Sequence, residues 1–346
     1  MAKRIVAIYD RGIDKNLMQG FDVLEKYGYE LTLVEKTVNE DELAYQNSML
    51  SVEVNGPDGT PINEEVFQYL GDAEIIITHF APVSRRMIEA AKNLKIIATL
   101  RTGMENINME AAKERGIKVI NAPGRAAVAV ADFTVAAMLC EIRNIARTDE
   151  DIKTGGWTKK YPNRTYSDNM CNLKVGLVGF GDIGRKIATR LKGFGTTILA
   201  YDPYCTKESI EAFGCVPVSL DELLEQADFV SLHVRLTPQT QNMFGAAEFA
   251  KMKPTAIFVN AARAGLVDEA AMIDALEQKK IGGAVLDVFR EEPLPVDHPL
   301  RKLKNVTLSA HLAGTDIGTF SGSIKIVADN LEQYFSGGEL KNVVNH

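Results

Sequence analysis

The chain has 346 residues, 46% of them hydrophobic and 25% charged, which suits a globular protein of two domains. Its 39 Lys and Arg against 46 Asp and Glu leave a net charge of -7, which argues against nucleic acid or an anionic membrane as partner and favours a small ligand. Four cysteines (Cys140, Cys171, Cys205, Cys215) contain no C-x-x-C pair, so neither a zinc site nor a disulfide framework is expected, and reduced thiols in the cytoplasm are.

The start, Met-Ala-Lys-Arg followed by the apolar run Ile5 to Tyr9, is too short for a signal-peptide core or a membrane span. From there β-branched runs alternate with helical patterns, the signature of parallel sheets covered by crossover helices. Strands are predicted at 4–9, 30–34, 74–78, 95–99 and 118–120, with helical stretches near 87–92 and 109–115. Asn55-Gly-Pro-Asp-Gly-Thr-Pro61 reads as a turn-rich excursion. A long helical pattern spans about 128–147, and Gly155-Gly156-Trp157 and Tyr161-Pro162-Asn163 break it; Trp157 is expected to pack. A second series of strands follows at 174–178, 197–201, 229–232, 256–259, 283–286 and 306–308, and a final helix runs from near Gly318 to Phe335. No short-period repeat interrupts this pattern.

Gly179-Phe-Gly181-Asp182-Ile183-Gly184 lies where a strand gives way to a helix, the context that a dinucleotide fingerprint requires. Gly179 allows a tight turn, Gly181 lets the backbone approach a pyrophosphate, and Gly184 permits close packing of helix on strand. The helix N-terminus offers N–H groups to the anion. A glycine triplet alone is weak evidence. Here the next strand ends in Ala200-Tyr201-Asp202, a carboxylate roughly 20 residues on, where a ribose 2'-hydroxyl is bound. That carboxylate would repel a 2'-phosphate and no Arg follows it directly, so NAD is favoured over NADP.

Further motifs are Leu232-His-Val-Arg-Leu-Thr237-Pro-Gln-Thr240, Asn260-Ala261-Ala-Arg263-Ala-Gly-Leu-Val-Asp268, Leu286-Asp287-Val-Phe-Arg-Glu-Glu292-Pro293 and Leu308-Ser-Ala-His311-Leu-Ala-Gly314. With the glycine turn, they make the chain resemble the D-isomer-specific 2-hydroxyacid dehydrogenase family over nearly its whole length. The resemblance implies an α/β fold of two doubly wound parallel-sheet domains. A Rossmann NAD-binding domain (126–312) is inserted in a flavodoxin-like substrate domain (1–125 and 313–346). It implies catalysis by Arg263, Glu292 and His311. It implies cofactor contacts at Gly179, Gly181, Asp182, Ile183, Gly184, Asp202, Thr237, Ala261, Asp287 and Gly314. Substrate contacts are implied at Arg101, Thr102, Gly103 and Arg263, as is a homodimer.

The roles are chemically sensible. A guanidinium forks onto the carboxylate of a 2-keto acid and polarises its carbonyl. Imidazole titrates close enough to neutrality to give and take the proton in both directions. A carboxylate beside it favours the protonated ring and fixes its orientation. Each residue alone reads more plainly as a surface charge or a loop histidine; their joint spacing carries the assignment. His233 is expected to serve structure or cofactor contact rather than proton transfer.

Some positions depart from the family pattern. Glu105 and Asn108 stand where Asp is frequent, Arg235 replaces a common Pro, and Ala126 replaces an Asn found in formate dehydrogenases, which weakens a formate reading. The loop Thr78-His79-Phe80 lacks the basic residues of bacterial phosphoglycerate dehydrogenases, and no regulatory segment follows His346, so 3-phosphoglycerate is the less favoured substrate. Arg125 reads as a solvated charge or as a contact for a second polar group. The alternatives are glyoxylate or hydroxypyruvate reduction, 3-phosphoglycerate oxidation and, in another class, an NAD-sensing corepressor-like binding protein.

Overall fold

The computed structural model of the chain describes residues 3–37, 51–52 and 55–345. It forms two compact units, one holding the chain up to Arg125 and from Asp316 onward, the other residues 126–315. The return follows Thr315, slightly later than the sequence reading near 313.

In the first unit β1 (Lys3–Tyr9), β2 (Tyr29–Glu35), β3 (Ala73–Thr78), β4 (Ile96–Thr99) and β5 (Lys118–Ile120) pair in parallel, in the order β2-β1-β3-β4-β5. Side chains alternate across a strand, and here both faces of the inner strands are covered, so the middles of β1, β3 and β4 are continuously apolar while edge strand β2 keeps Glu30 and Thr32. Ile5, Ala7, Ile75 and Ile77 face a layer that includes Ile324, Val327 and Leu331 of the helix Ile317–Phe335. The spacing of those three puts them on one face of that helix. Val6, Ile8, Ile76 and Ile97 face the other way, onto Val66, Leu70, Met87 and Ile88. Each fully buried Ile or Leu contributes about 1.5–3 kcal/mol. The excursion at Asn55 to Pro61 is a turn with Gly56 at φ +67°.

The second unit holds β6 (Lys174–Val178), β7 (Thr197–Tyr201), β8 (Val216–Pro217), β9 (Phe229–Leu232), β10 (Ile257–Asn260), β11 (Gly283–Leu286) and β12 (Val306–Leu308). They form one parallel sheet, β12-β11-β10-β9-β6-β7-β8. The order reverses between β6 and β9, and a crevice at such a switch point is where ligands bind in open α/β sheets. Strand β8 escapes the sequence reading because it is two residues long and contains a proline, which the sheet tolerates only at its edge.

Two sequence expectations need correction. The helical pattern at 128–147 is two helices, Ala127–Ile142 and Ile145–Lys153, because Asn144 takes the left-handed conformation at φ 57°. Asn tolerates that conformation better than most residues. The break is fixed by Asn144 donating to Asn163 Oδ1 at 2.7 Å, and by Arg147 reaching back to both oxygens of buried Glu141 at 2.9 Å. Trp157, expected to pack, is 79% exposed. Among the described residues no helix is long and apolar enough to cross a membrane, and no group of His, Cys, Asp and Glu could hold a metal ion.

Candidate active site

At the switch point of the second unit, β6 runs into the glycine turn. Gly179 has φ +99°, and a Cβ there would lie 2.7 Å from the backbone of His233, which follows β9. Gly184 lies in the helix Asp182–Lys192, and a Cβ on it would meet the Gly179 carbonyl oxygen at 2.4 Å. Both positions therefore exclude any larger residue. Gly181 is different: a Cβ there would meet nothing within 4 Å. The glycine leaves an open cradle over the N-terminus of an 11-residue helix, which suits a pyrophosphate.

Asp202, after β7, accepts from the Phe180 N–H and from the Tyr204 N–H, each at 2.8 Å. Its carboxylate is thus locked beside the glycine turn, and each oxygen keeps acceptor capacity for a ribose hydroxyl. Exposed Asp182 pairs with Lys186, and Ile183 is half-buried beside it. Thr237 is exposed and its backbone and hydroxyl are tied to Thr240. The His233 Nε2 lies 2.8 Å from the Ser231 hydroxyl, and burial pushes its imidazole down to about 3. It is neutral at working pH and poorly suited to deliver a proton.

Three other loops of this unit, at the ends of β10, β11 and β12, carry the charged residues. After β10, buried Asn260 staples its turn by accepting from the Ala262 N–H and donating to the Arg263 carbonyl, both at 3.0 Å. Arg263 is left exposed and extended, next to half-buried Ala261 and Ala262. After β11, Glu292 accepts from the Phe289 N–H at 2.9 Å through one oxygen and meets the His311 Nδ1 at 2.8 Å through the other. The Glu292–Pro293 bond is cis. After β12, His311 has φ 55°, a strained conformation for a residue with a Cβ.

Asp287 holds that conformation. It is 1% exposed, accepts from the Ser309 hydroxyl at 2.6 Å and the Leu312 N–H at 2.8 Å through one oxygen, and from the Ala313 N–H at 2.8 Å through the other. It brackets His311 in sequence. The resemblance pointed to Asp287 as a cofactor contact; its visible contacts are with this loop. No spacing in the sequence signals that task, since a buried Asp is recognised only from the N–H groups around it. Gly314, beyond, lies against Ala126 and Val130.

The electrostatics follow from this geometry. The hydrogen bond to Glu292 raises the His311 imidazole above its ordinary value, against burial, and the Arg263 charge offsets part of the rise. Burial pushes the Glu292 carboxyl up, but the bonds from His311 and the Phe289 N–H, with the Arg263 charge, hold it below the usual range. An ionised carboxylate fixes Nδ1–H, so Nε2 is the ring atom left to hold or release a proton.

In the first unit, Arg101, Thr102 and Gly103 follow β4. Arg101 is 8% exposed, its guanidinium lies 4.2 Å from the Phe80 ring centre, and it faces Glu105 at 3.6 Å. Thr102 donates to the Ala122 carbonyl at 3.3 Å, and Asn121 donates back to the Thr102 carbonyl at 2.7 Å. The absence of a Cβ at Gly103 leaves room for the Glu105 carboxylate, which lies against it. Asn108 caps the helix Met109–Glu114 by accepting from the Ala111 N–H at 2.8 Å.

Residues 135–313 match the family model described as D-isomer specific 2-hydroxyacid dehydrogenase, NAD binding domain. Among curated proteins, D-3-phosphoglycerate dehydrogenase of Methanocaldococcus jannaschii is 39% identical over 82% of this chain and 53% of its own length. Glyoxylate reductase of Korarchaeum cryptofilum is 37% identical over 82% of this chain and 86% of its own. The chain spans about half the length of the phosphoglycerate dehydrogenases it matches. The apo structure of D-lactate dehydrogenase from Escherichia coli superposes with a TM-score of 0.71 at 26% identity, covering 98% of this chain and 99% of that one.

Proposed function

Because the chain belongs to the D-isomer specific 2-hydroxyacid dehydrogenase family, with its NAD binding domain at residues 135–313, we propose that it interconverts a D-2-hydroxy acid and its 2-keto acid. Bound NAD supplies the hydride acceptor, or NADH the donor. The observation that carries the reading is the His311–Glu292 pair at 2.8 Å, within the field of Arg263.

Arg263 binds the substrate carboxylate and polarises the carbonyl, with Arg101, Thr102 and Gly103 as further substrate contacts. His311 gives the proton to the carbonyl oxygen in reduction and takes it in oxidation, and Glu292 keeps the ring oriented and its protonated form stable. Gly179, Gly181, Asp182, Ile183 and Gly184 receive the pyrophosphate and Asp202 the ribose. Thr237, Ala261, Asp287 and Gly314 complete the cofactor site, Asp287 by holding the loop. The substrate-binding domain is the unit formed by the two ends of the chain. We place the enzyme in the cytoplasm as a homodimer, in keeping with its free cysteines and its family.

NADH and NADPH oxidation with a panel of 2-keto acids that includes glyoxylate, hydroxypyruvate and pyruvate is the test. The expected result is reduction of at least one keto acid, with NADH preferred because Asp202 repels a 2'-phosphate. NADH binding with no keto acid reduced would sink the reading and leave a nucleotide-sensing binding protein.

A further inference from the structure

The first unit has its own switch point. Its order, β2-β1-β3-β4-β5, reverses between β1 and β3, so the crevice lies at the carboxyl ends of those two strands. Asp10 ends one and His79 the other. Asp10 is 6% exposed and its carboxylate accepts from the N–H groups of Gly12, Ile13 and Phe80 at 2.9 to 3.1 Å. The His79 Nδ1 lies 3.1 Å from both of its oxygens. His79 is wholly buried, with the rings of Phe80 and Phe320 at 4.4 and 5.6 Å, and Asn106 donates to its carbonyl at 3.1 Å.

A carboxylate on Nδ1 fixes the ring's other nitrogen as an acceptor when the ring is neutral. Burial, together with the charges of Arg125 and Arg101, holds His79 below its ordinary value despite Asp10, so neutral is the resting form. Its Nε2 then accepts from the Arg125 Nη1, 3.4 Å away. The chain of Asp10, His79 and Arg125 thereby aims a half-buried guanidinium at the carboxyl edge of the sheet.

The charges of Arg125 and Arg101 both act on His79, so two guanidiniums stand near this corner of the sheet edge. Arg125 stands three residues beyond Ala122, the carbonyl of which accepts from Thr102 in the loop proposed to hold the substrate carboxylate. The two loops are tied, so a group bound by one is near a group bound by the other.

We infer that Arg125 is a specificity-determining residue that binds a second anionic group, carboxylate or phosphate, at the far end of the 2-keto acid, with His79 and Asp10 as its positioning residues. This rests on the reading of the chain as a 2-hydroxyacid dehydrogenase and names its substrate class. The charge missing from the 78–80 loop is supplied by the segment after β5.

The test compares kcat/KM for matched pairs: oxaloacetate with 2-oxobutanoate, 2-oxoglutarate with 2-oxopentanoate, and 3-phosphohydroxypyruvate with hydroxypyruvate. In at least one pair the anionic member is expected to be favoured by about 10- to 100-fold, the value of one charged hydrogen-bonded contact. The pair that shows it tells carboxylate from phosphate. Arg125→Met should remove about 10-fold or more of that ratio and Arg125→Lys should keep part of it. His79→Leu should erode the ratio through KM rather than kcat. Equal use of both members of every pair overturns the inference, and so does a ratio that Arg125→Met leaves intact; either result, with some keto acid still reduced, spares the dehydrogenase reading. Failure to reduce any of the six overturns the inference, and it removes the dehydrogenase reading as well only when glyoxylate and pyruvate also go unreduced.

Discussion

A pH profile separates the roles of Glu292 and His311. Reduction needs a protonated imidazole, and the bond to Glu292 raises the His311 pKa above the ordinary value. kcat/KM for keto acid reduction is therefore expected to be level on the acid side and to fall as pH rises through that raised value. Oxidation should show the opposite limb, rising through the same value, because it needs the neutral ring. Glu292→Gln removes the charge that favours the protonated ring. The fall in reduction should then move to lower pH, and an unshifted profile would show that the carboxylate does not tune the imidazole. The residue types and spacing of Arg263, Glu292 and His311 were legible in the sequence. The 2.8 Å bond was not, because the residues lie on separate loops whose relation depends on strand pairing.

Among the elements, strands were the most legible. Runs such as Lys174–Val178 and Gly283–Leu286 are continuous and apolar, and parallel strands buried on both faces have that form. Helix ends were less so, as Asn144 shows: a left-handed residue in an otherwise helical pattern is fixed by its partners Asn163 and Glu141, which lie elsewhere in the sequence or on the buried face. The loop after β12 depends on Asp287 in the same way. Asp287→Ala would strip the acceptor from the N–H of buried Ala313 and from that of exposed Leu312, and leave the Ser309 hydroxyl without its partner. A loss of about 2–4 kcal/mol in urea unfolding is expected, with a fall in turnover as the His311 conformation relaxes. Unaltered stability and turnover would show that the loop is held by something else.

For the whole molecule, two series of strands stand out in the sequence and two units in the structure, while the place of the last helix in the first unit was expected only from the family resemblance. What was not readable is the fate of Trp157, which is exposed along with Ile145 and Ile152 on the adjacent helix. Ile145 and Ile152 share one face of their helix, and exposed apolar residues that share a face suit an association surface. In the proposed homodimer, the mass in solution should be twice that of one 38.0 kDa chain, and Trp157→Ser is expected to weaken the pairing. A monomeric mass at micromolar concentration would contradict it.

The central claim is that His311, held by Glu292, moves the proton while hydride passes to or from the substrate. It is tested most directly by measuring turnover and NADH affinity together in His311→Ala. The expected result is a loss of roughly two to four orders of magnitude in turnover with NADH affinity nearly unchanged. Turnover equal to that of the original chain would contradict it.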